Sequence, residues 1–277
     1  MAKILVVANE TVGGAKLIDT VRARHARGDA EFALVVPQNR PPHGPIIYDE
    51  AVRDAAQVRV DLAQQFLAAE GIELIGDVGD EDPFQATMDA IADYRPDEII
   101  VSTHPVTQSG WLRKDLVERI REASGLPVEH VVVDLAQEGT PFTVTLVVAN
   151  RTVGGDELLE KMRAKAAEEG EHLFIVVVPQ EGGLGHHARQ ARERLNRVLG
   201  TMRGEGLLVA GMIGDPDPYT AAMNALHRFR VSDVIISTLP AEKSGWLRAH
   251  LPERIADAAR ISVDHVVVDV EGSEVKA

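Results

Sequence analysis

The chain carries the same sequence twice. Val6-Val-Ala-Asn-Glu-Thr-Val-Gly-Gly14 returns as Val147-Val-Ala-Asn-Arg-Thr-Val-Gly-Gly155, and Val35-Val-Pro-Gln38 returns as Val177-Val-Pro-Gln180. Gly79-Asp-Glu-Asp-Pro83 returns as Gly214-Asp-Pro-Asp-Pro218, and Ser109-Gly-Trp-Leu-Arg113 as Ser244-Gly-Trp-Leu-Arg248. Half of the positions from Gly79 to Asp134 match those from Gly214 to Asp269. A repeat of this length makes 277 residues into two copies of one domain, at 1–138 and 142–271, joined through Leu135 to Pro141. The second copy is shorter between Gln180 and Gly214. This change lies near Asn39-Arg-Pro-Pro-His-Gly-Pro45 and its counterpart Glu181-Gly-Gly-Leu-Gly185, which therefore read as surface loops.

Each copy alternates strand and helix patterns. Ile4 to Ala8 is an unbroken apolar run, as a strand buried on both faces requires. Gly13 to Ala26 has helical spacing, Phe32 to Val36 is a second strand, and Ala51 to Glu70 is a long helix. Ile72 to Ile75 is a third strand. Asp82-Pro83 starts a helix, with an N-cap Asp and Pro at the first position. Glu98 to Ser102 is a fourth strand, a helix runs from Ser109 to about Ala123, and Val128 to Val133 is a fifth strand. The alternation predicts two α/β Rossmann-like domains, each a five-stranded parallel sheet with helices on both faces. Ligands of such sheets lie beyond the strand carboxyl ends, where the strand order reverses.

Composition narrows the chemistry. No Cys is present, which excludes a disulfide framework, a thiolate metal site and a Cys nucleophile, and suits a reducing cytoplasm. A net charge of −14 argues against nucleic acid and anionic membrane as partners. The apolar run at Met1 to Asn9 is too short for a span and lacks a signal-peptide layout. No Ser-His-Asp arrangement is legible, so catalytic residues are not assigned. Asp80, Asp82, Asp215 and Asp217 could suggest magnesium, but Asp82 and Asp217 are already explained as caps.

Two loops could hold a ligand. After the first strand, Asn9-Glu-Thr-Val-Gly-Gly14 and its twin Asn150 to Gly155 place Thr and paired Gly before a helix. That arrangement serves equally as an anion cradle or as a tight capped turn. It lacks both the Gly-Lys-[Ser/Thr] ending of a P-loop and a G-x-G-x-x-G run. After the fourth strand come Ser102-Thr-His-Pro-Val-Thr-Gln-Ser-Gly110 and Ser237-Thr-Leu-Pro-Ala-Glu-Lys-Ser-Gly245. Arg113 and Arg248 then fall in a first helical turn, where a cation is disfavoured unless an anion or carboxylate offsets it. Trp111 and Trp246 read as plugs between helix and sheet. His104 has become Leu239 in the second copy, so it cannot belong to a site both halves need. His130 and His265 recur on the last strand and read as edge or domain-contact residues. His43, His186 and His187 sit in the variable loop.

Two such halves, with Ile-Leu-Val-Val-Ala-Asn on the first strand and Val-Val-Val-Asp on the last, resemble the universal stress protein family over nearly the whole chain. The resemblance implies a binding or regulatory role in the stress response. Some members bind ATP and others do not, and members dimerise through the last strand. Here that implies an intramolecular pseudo-dimer through Val128–Asp134 and Val263–Asp269, or a homodimer. If ATP or AMP binds, with magnesium, the resemblance carries Asn9 and Thr11 into the site, and the two loops add Gly13, Val36, Ser102, Thr103, Ser109, Gly110 and Arg113 as candidates. The twins are Asn150, Thr152, Gly154, Ser237, Thr238, Ser244, Gly245 and Arg248. Nucleotide-binding members carry Gly-x-x-Gly, nine residues, then Gly-[Ser/Thr] after strand four. This chain has Ser102 and Pro105, Ser237 and Pro240, then Asp115-Leu116 and His250-Leu251. Pro offers no N–H to a phosphate, and Asp115 would repel one. A ligand-free interaction scaffold is the alternative, and a slow ATPase a further one.

Overall fold

The computed structural model describes residues 2–28, 30–39, 49–105, 115–168, 170–180 and 186–269. The chain divides into two compact units between Pro141 and Phe142. In the first, the elements are β1 (Ala2–Val7), a 3-10 turn (Glu10–Gly13), α1 (Ala15–Ala26), β2 (Ala30–Pro37), α2 (Asp49–Ala69), β3 (Leu74–Gly79), α3 (Pro83–Tyr94), β4 (Glu98–Thr103), α4 (Leu116–Ser124), β5 (Val128–Val132) and the short α5 (Leu135–Glu138). The second unit has β6 (Phe142–Val148), α6 (Asp156–Ala166), β7 (Glu171–Pro179), α7 (His186–Gly204), β8 (Leu208–Gly214), α8 (Pro218–Arg228), β9 (Asp233–Thr238), α9 (Gly245–Arg248), α10 (Leu251–Ala259) and β10 (Ser262–Val267).

Both sheets are five-stranded and all parallel, ordered β3-β2-β1-β4-β5 and β10-β9-β6-β7-β8. The second is the first read from its other edge, so each copy folds alike. The inner strands are apolar on both faces because helices cover both: Leu5, Val7, Ile99 and Val101 are fully buried, as are Leu146, Val148 and Ile235. Edge strand β3 alternates instead, and its Ile75 is 64% exposed. Order reverses between β1 and β4, and between β6 and β9. Those strands' carboxyl ends are the places where such a sheet takes a ligand.

The third strand lies later than the sequence pattern placed it. Ile72 is not in β3; its N–H bonds the Leu67 carbonyl at 2.9 Å and its side chain is buried. With Gly71 at φ +79, this is a Schellman-type helix end, whose apolar contact was mistaken for a strand. Gly206 at φ +84 and Leu207 repeat it in the second half. The helix expected to run unbroken from Ser109 is also corrected. In the second half it is two helices, α9 and α10, with His250 between them at φ +51. In the first, Asp115 has φ +49 just before α4, and the segment 106–114 lies outside the described residues. Asp and His tolerate the left-handed region better than most side chains.

The cap assignments hold. Asp82 accepts from Phe84 N at 3.0 Å, and Asp217 accepts from Thr220 N at 2.9 Å. Asp80 and Asp215 accept from the backbone N–H of those capping residues at 2.8 and 2.9 Å. All four carboxylates are thus engaged in starting α3 and α8. Those helices then pack on α4 and α10 through a repeated cation–π contact, Arg119 over Phe84 and Arg254 over Tyr219.

At the opposite, amino end of the second sheet lies a buried polar group. Thr145 Oγ1 donates to Asp233 Oδ1 at 3.0 Å, so it accepts from His172 Nε2 at 2.6 Å. Burial pushes His172 below its ordinary value, with Asp233 opposing that shift and Lys165 adding to it. Burial likewise lowers His130, helped by Arg121 and Lys16. A histidine whose folded pKa is depressed stabilises the fold fully above its unfolded pKa, about 6.5, and loses that contribution as pH falls below it. The unfolding midpoint is therefore expected to drop as pH is lowered from 7 towards 5. His172→Gln should flatten that slope in circular-dichroism melts; an unchanged slope would refute the assignment.

Candidate functional site

The loop after β1 is held by its own side chains. Asn9 Nδ2 donates to the Pro37 carbonyl at 2.9 Å, tying the end of β1 to the end of β2. Thr11 Oγ1 donates to the Ser102 carbonyl at 3.3 Å and accepts from Ser102 Oγ at 2.9 Å. The crevice walls of the first half are therefore cross-linked at their base. In the second half Thr152 Oγ1 donates to the Ser237 carbonyl at 3.1 Å. There the serine departs from its twin. Ser237 Oγ has no hydrogen-bond partner, although the residue is 1% exposed. A buried hydroxyl left in this way costs about 1–3 kcal/mol relative to one that is satisfied.

Thr103 and Thr238 are already engaged. Thr103 Oγ1 donates to the His104 carbonyl and accepts from His130 Nε2 at 2.9 Å. Thr238 Oγ1 donates to the Leu239 carbonyl and accepts from His265 Nε2 at 2.8 Å. The repeated histidines of the last strand thus serve to fasten β4 to β5 and β9 to β10. The periodic sequence shows both partners but not the pairing, which depends on the strand register.

A cleft of about 190 Å³ opens in the second half, lined by Asn150, Arg151, Thr152, Ser237, Thr238, Leu239, Lys243, Ser244, Gly245 and Trp246. Six of the eight second-half candidate positions meet here. Gly154 and Arg248 do not line it; Arg248 Nη1 donates to the Glu242 carbonyl at 3.4 Å. Ser244 Oγ accepts from Leu247 N at 3.3 Å, so this serine caps the four-residue α9. Trp246 is half-buried and lines the cleft, which corrects its reading as a core plug. Arg151 and Lys243 were not among the sequence-assigned residues; their signal was a basic side chain on each loop flanking the crevice.

In the first half Asn9, Thr11, Ser102 and Thr103 are buried at the same place. Gly13 ends the 3-10 turn, and Val36 is fully buried in the sheet. Ser109, Gly110, Trp111 and Arg113 lie outside the described residues, as does His43, and so do the side chains of His186 and His187. The mouth of this crevice carries an acid. His104 Nε2 stands 3.3 Å from Glu10 Oε2, and Asn39 Nδ2 donates to Glu10 Oε1 at 3.0 Å. The His104 hydrogen bond holds the Glu10 carboxyl below its ordinary value, against its burial and with help from Arg59.

No protein-family model matches this chain, and no curated protein does. Solved structures do. The likeness is to universal stress proteins. One is from Archaeoglobus fulgidus DSM 4304, at 15% identity and TM-score 0.38, covering 98% of this chain and 97% of that one. A protein assigned to the same group, from Pseudomonas aeruginosa UCBPP-PA14, shows 16% identity and TM-score 0.33, covering 97% and 94%. The strand order by itself establishes two Rossmann-like α/β domains in tandem. No described helix is long and apolar enough to cross a membrane.

Proposed function

We propose that this chain is a tandem binding module of the universal stress type, and that its ligand is a small phosphate-bearing molecule, an adenine nucleotide first among them. One observation carries the reading: a cleft at the topological switch point, flanked by both candidate loops, with an unsatisfied buried hydroxyl in its wall. In this reading the crevice binds and does not turn over its ligand. Thr238, the second hydroxyl of its loop, is held by His265, not poised against a substrate. Pairing through the last strands belongs to the same reading, supported by β5 and β10 each standing at the end of its sheet.

The test is calorimetric titration of the purified chain with ATP and AMP, with and without magnesium. Saturable heat and an upward shift of the unfolding midpoint are expected. Neither at millimolar nucleotide would refute the nucleotide reading. The size of the cleft favours a second reading, the ligand-free scaffold, because drug-sized ligands fill pockets of about 300 Å³ or more. A stable protein partner recovered with no small molecule in the native mass spectrum would support that instead.

A further inference from the structure

At the two switch points the described residues of the first loop and of the fourth strand's end correspond, yet they differ in charge. In the first half a carboxylate and an imidazole, Glu10 and His104, face each other 3.3 Å apart. The matching residues of the second half are Arg151 and Leu239, and both line the cleft. Lys243 also lines it, at the position where the first copy has Gln108. Two of these three exchanges, Glu10 to Arg151 and Gln108 to Lys243, move the second half towards positive charge, while His104 to Leu239 removes the imidazole that pairs with Glu10. The wall has changed with the mouth. Ser102 Oγ spends its proton on Thr11 Oγ1 in the first half, whereas Ser237 Oγ has no partner in the second.

We infer that the two halves have divided their labour: the second-half crevice is the oxyanion site, for a phosphate or pyrophosphate group, and the first-half crevice is not one. An anion oxygen at the base of the second cleft would accept the Ser237 proton. Arg151 and Lys243 would meet the remaining oxygens, the guanidinium in the two-pronged geometry that suits phosphate. The same anion in the first crevice would face Glu10. Its carboxylate would repel the anion, and entry would require parting it from His104 and Asn39. The inference rests on reading these crevices as ligand sites, and adds which half and which charge.

The test uses the full-length chain and two probes, inorganic pyrophosphate and AMP, in calorimetric titrations at low salt. Pyrophosphate is expected to bind once per chain, and Arg151→Glu to weaken it at least tenfold. The first copy already carries Glu at that position, so the variant should keep the wild-type unfolding midpoint. Glu10→Gln is expected to leave affinity within twofold. Two pyrophosphates per chain, none at all, or loss in Glu10→Gln with retention in Arg151→Glu would each overturn the inference. Failure of the nucleotide reading looks different: AMP would be silent while pyrophosphate still bound once. Two AMP molecules per chain would sustain that reading and sink this one.

Discussion

Replacing Gly155 with alanine is expected to destabilise the second half by about 2 kcal/mol and to lower its unfolding midpoint by several degrees. A Cβ on Gly155 would stand 2.3 Å from Val268 Cγ1, 3.0 Å from Val268 Cγ2 and 3.2 Å from Val268 Cβ. Val268 is itself buried, and its backbone N–H is bonded to the Thr238 carbonyl at 2.8 Å, so it has little room to retreat. Gly14 repeats the contact in the first half, with Val133 Cγ1 at 2.2 Å and the Thr11 carbonyl at 3.2 Å. Its neighbour supplies the control. A Cβ on Gly154 would meet only Val198 Cγ2 at 3.5 Å, an ordinary contact, so Gly154→Ala should stay within about 0.5 kcal/mol. Thermal melts of the two single variants decide it. Equal losses would mean that the doublet is needed for something other than this close approach.

That pair of glycines shows what the sequence could and could not convey. From residues alone, a Thr followed by two glycines before a helix serves a phosphate or a tight turn equally well. The second glycine turns out to be where the start of α1 or α6 meets the valine just beyond β5 or β10. That valine is over a hundred residues away, and no local pattern links it to the glycine. The strands were legible because parallel inner strands must be apolar on both faces, as Ile4–Val7 and Leu146–Val148 are. β3 was misplaced because an edge strand holding Gly76 and Asp77 gives a weaker apolar signal than the helix end at Ile72. Of the site, the hydroxyls and loops were readable as a repeat. The charge reversal at the mouth was written in the sequence too, at Glu10 and Arg151. Its meaning emerges only once strand order brings that loop to His104 or Leu239.

The largest loss from a single charge is expected at Asp233. Lys165 Nζ lies 2.9 Å from Asp233 and 3.5 Å from Asp264, with the lysine side chain only 12% exposed and the Asp233 side chain 17%. Burial works against the ammonium, yet the two carboxylates outweigh it and raise its pKa. Asp233→Ala removes the nearer partner and also takes the acceptor from the fully buried Thr145 hydroxyl, leaving it only His172. A fully buried pair broken on one side loses about 3–5 kcal/mol and an exposed one at most about 1, so about 2–3 kcal/mol is expected here. The first half shows how the polar group can be dispensed with. There Arg24 lies 3.1 Å from Glu98 and also pairs with Glu129, so the ion cluster is kept, but Ile4 stands opposite Glu98 where Thr145 stands opposite Asp233. Ala30 takes the place of His172. The double variant Thr145→Ile/His172→Ala should therefore cost less than Asp233→Ala, because both hydrogen-bonding partners leave together and Lys165 keeps its carboxylates. Denaturant melts of the two variants at neutral pH provide the comparison. A double variant as unstable as Asp233→Ala would show that Thr145 and His172, not the ion cluster, hold the amino end of the second sheet.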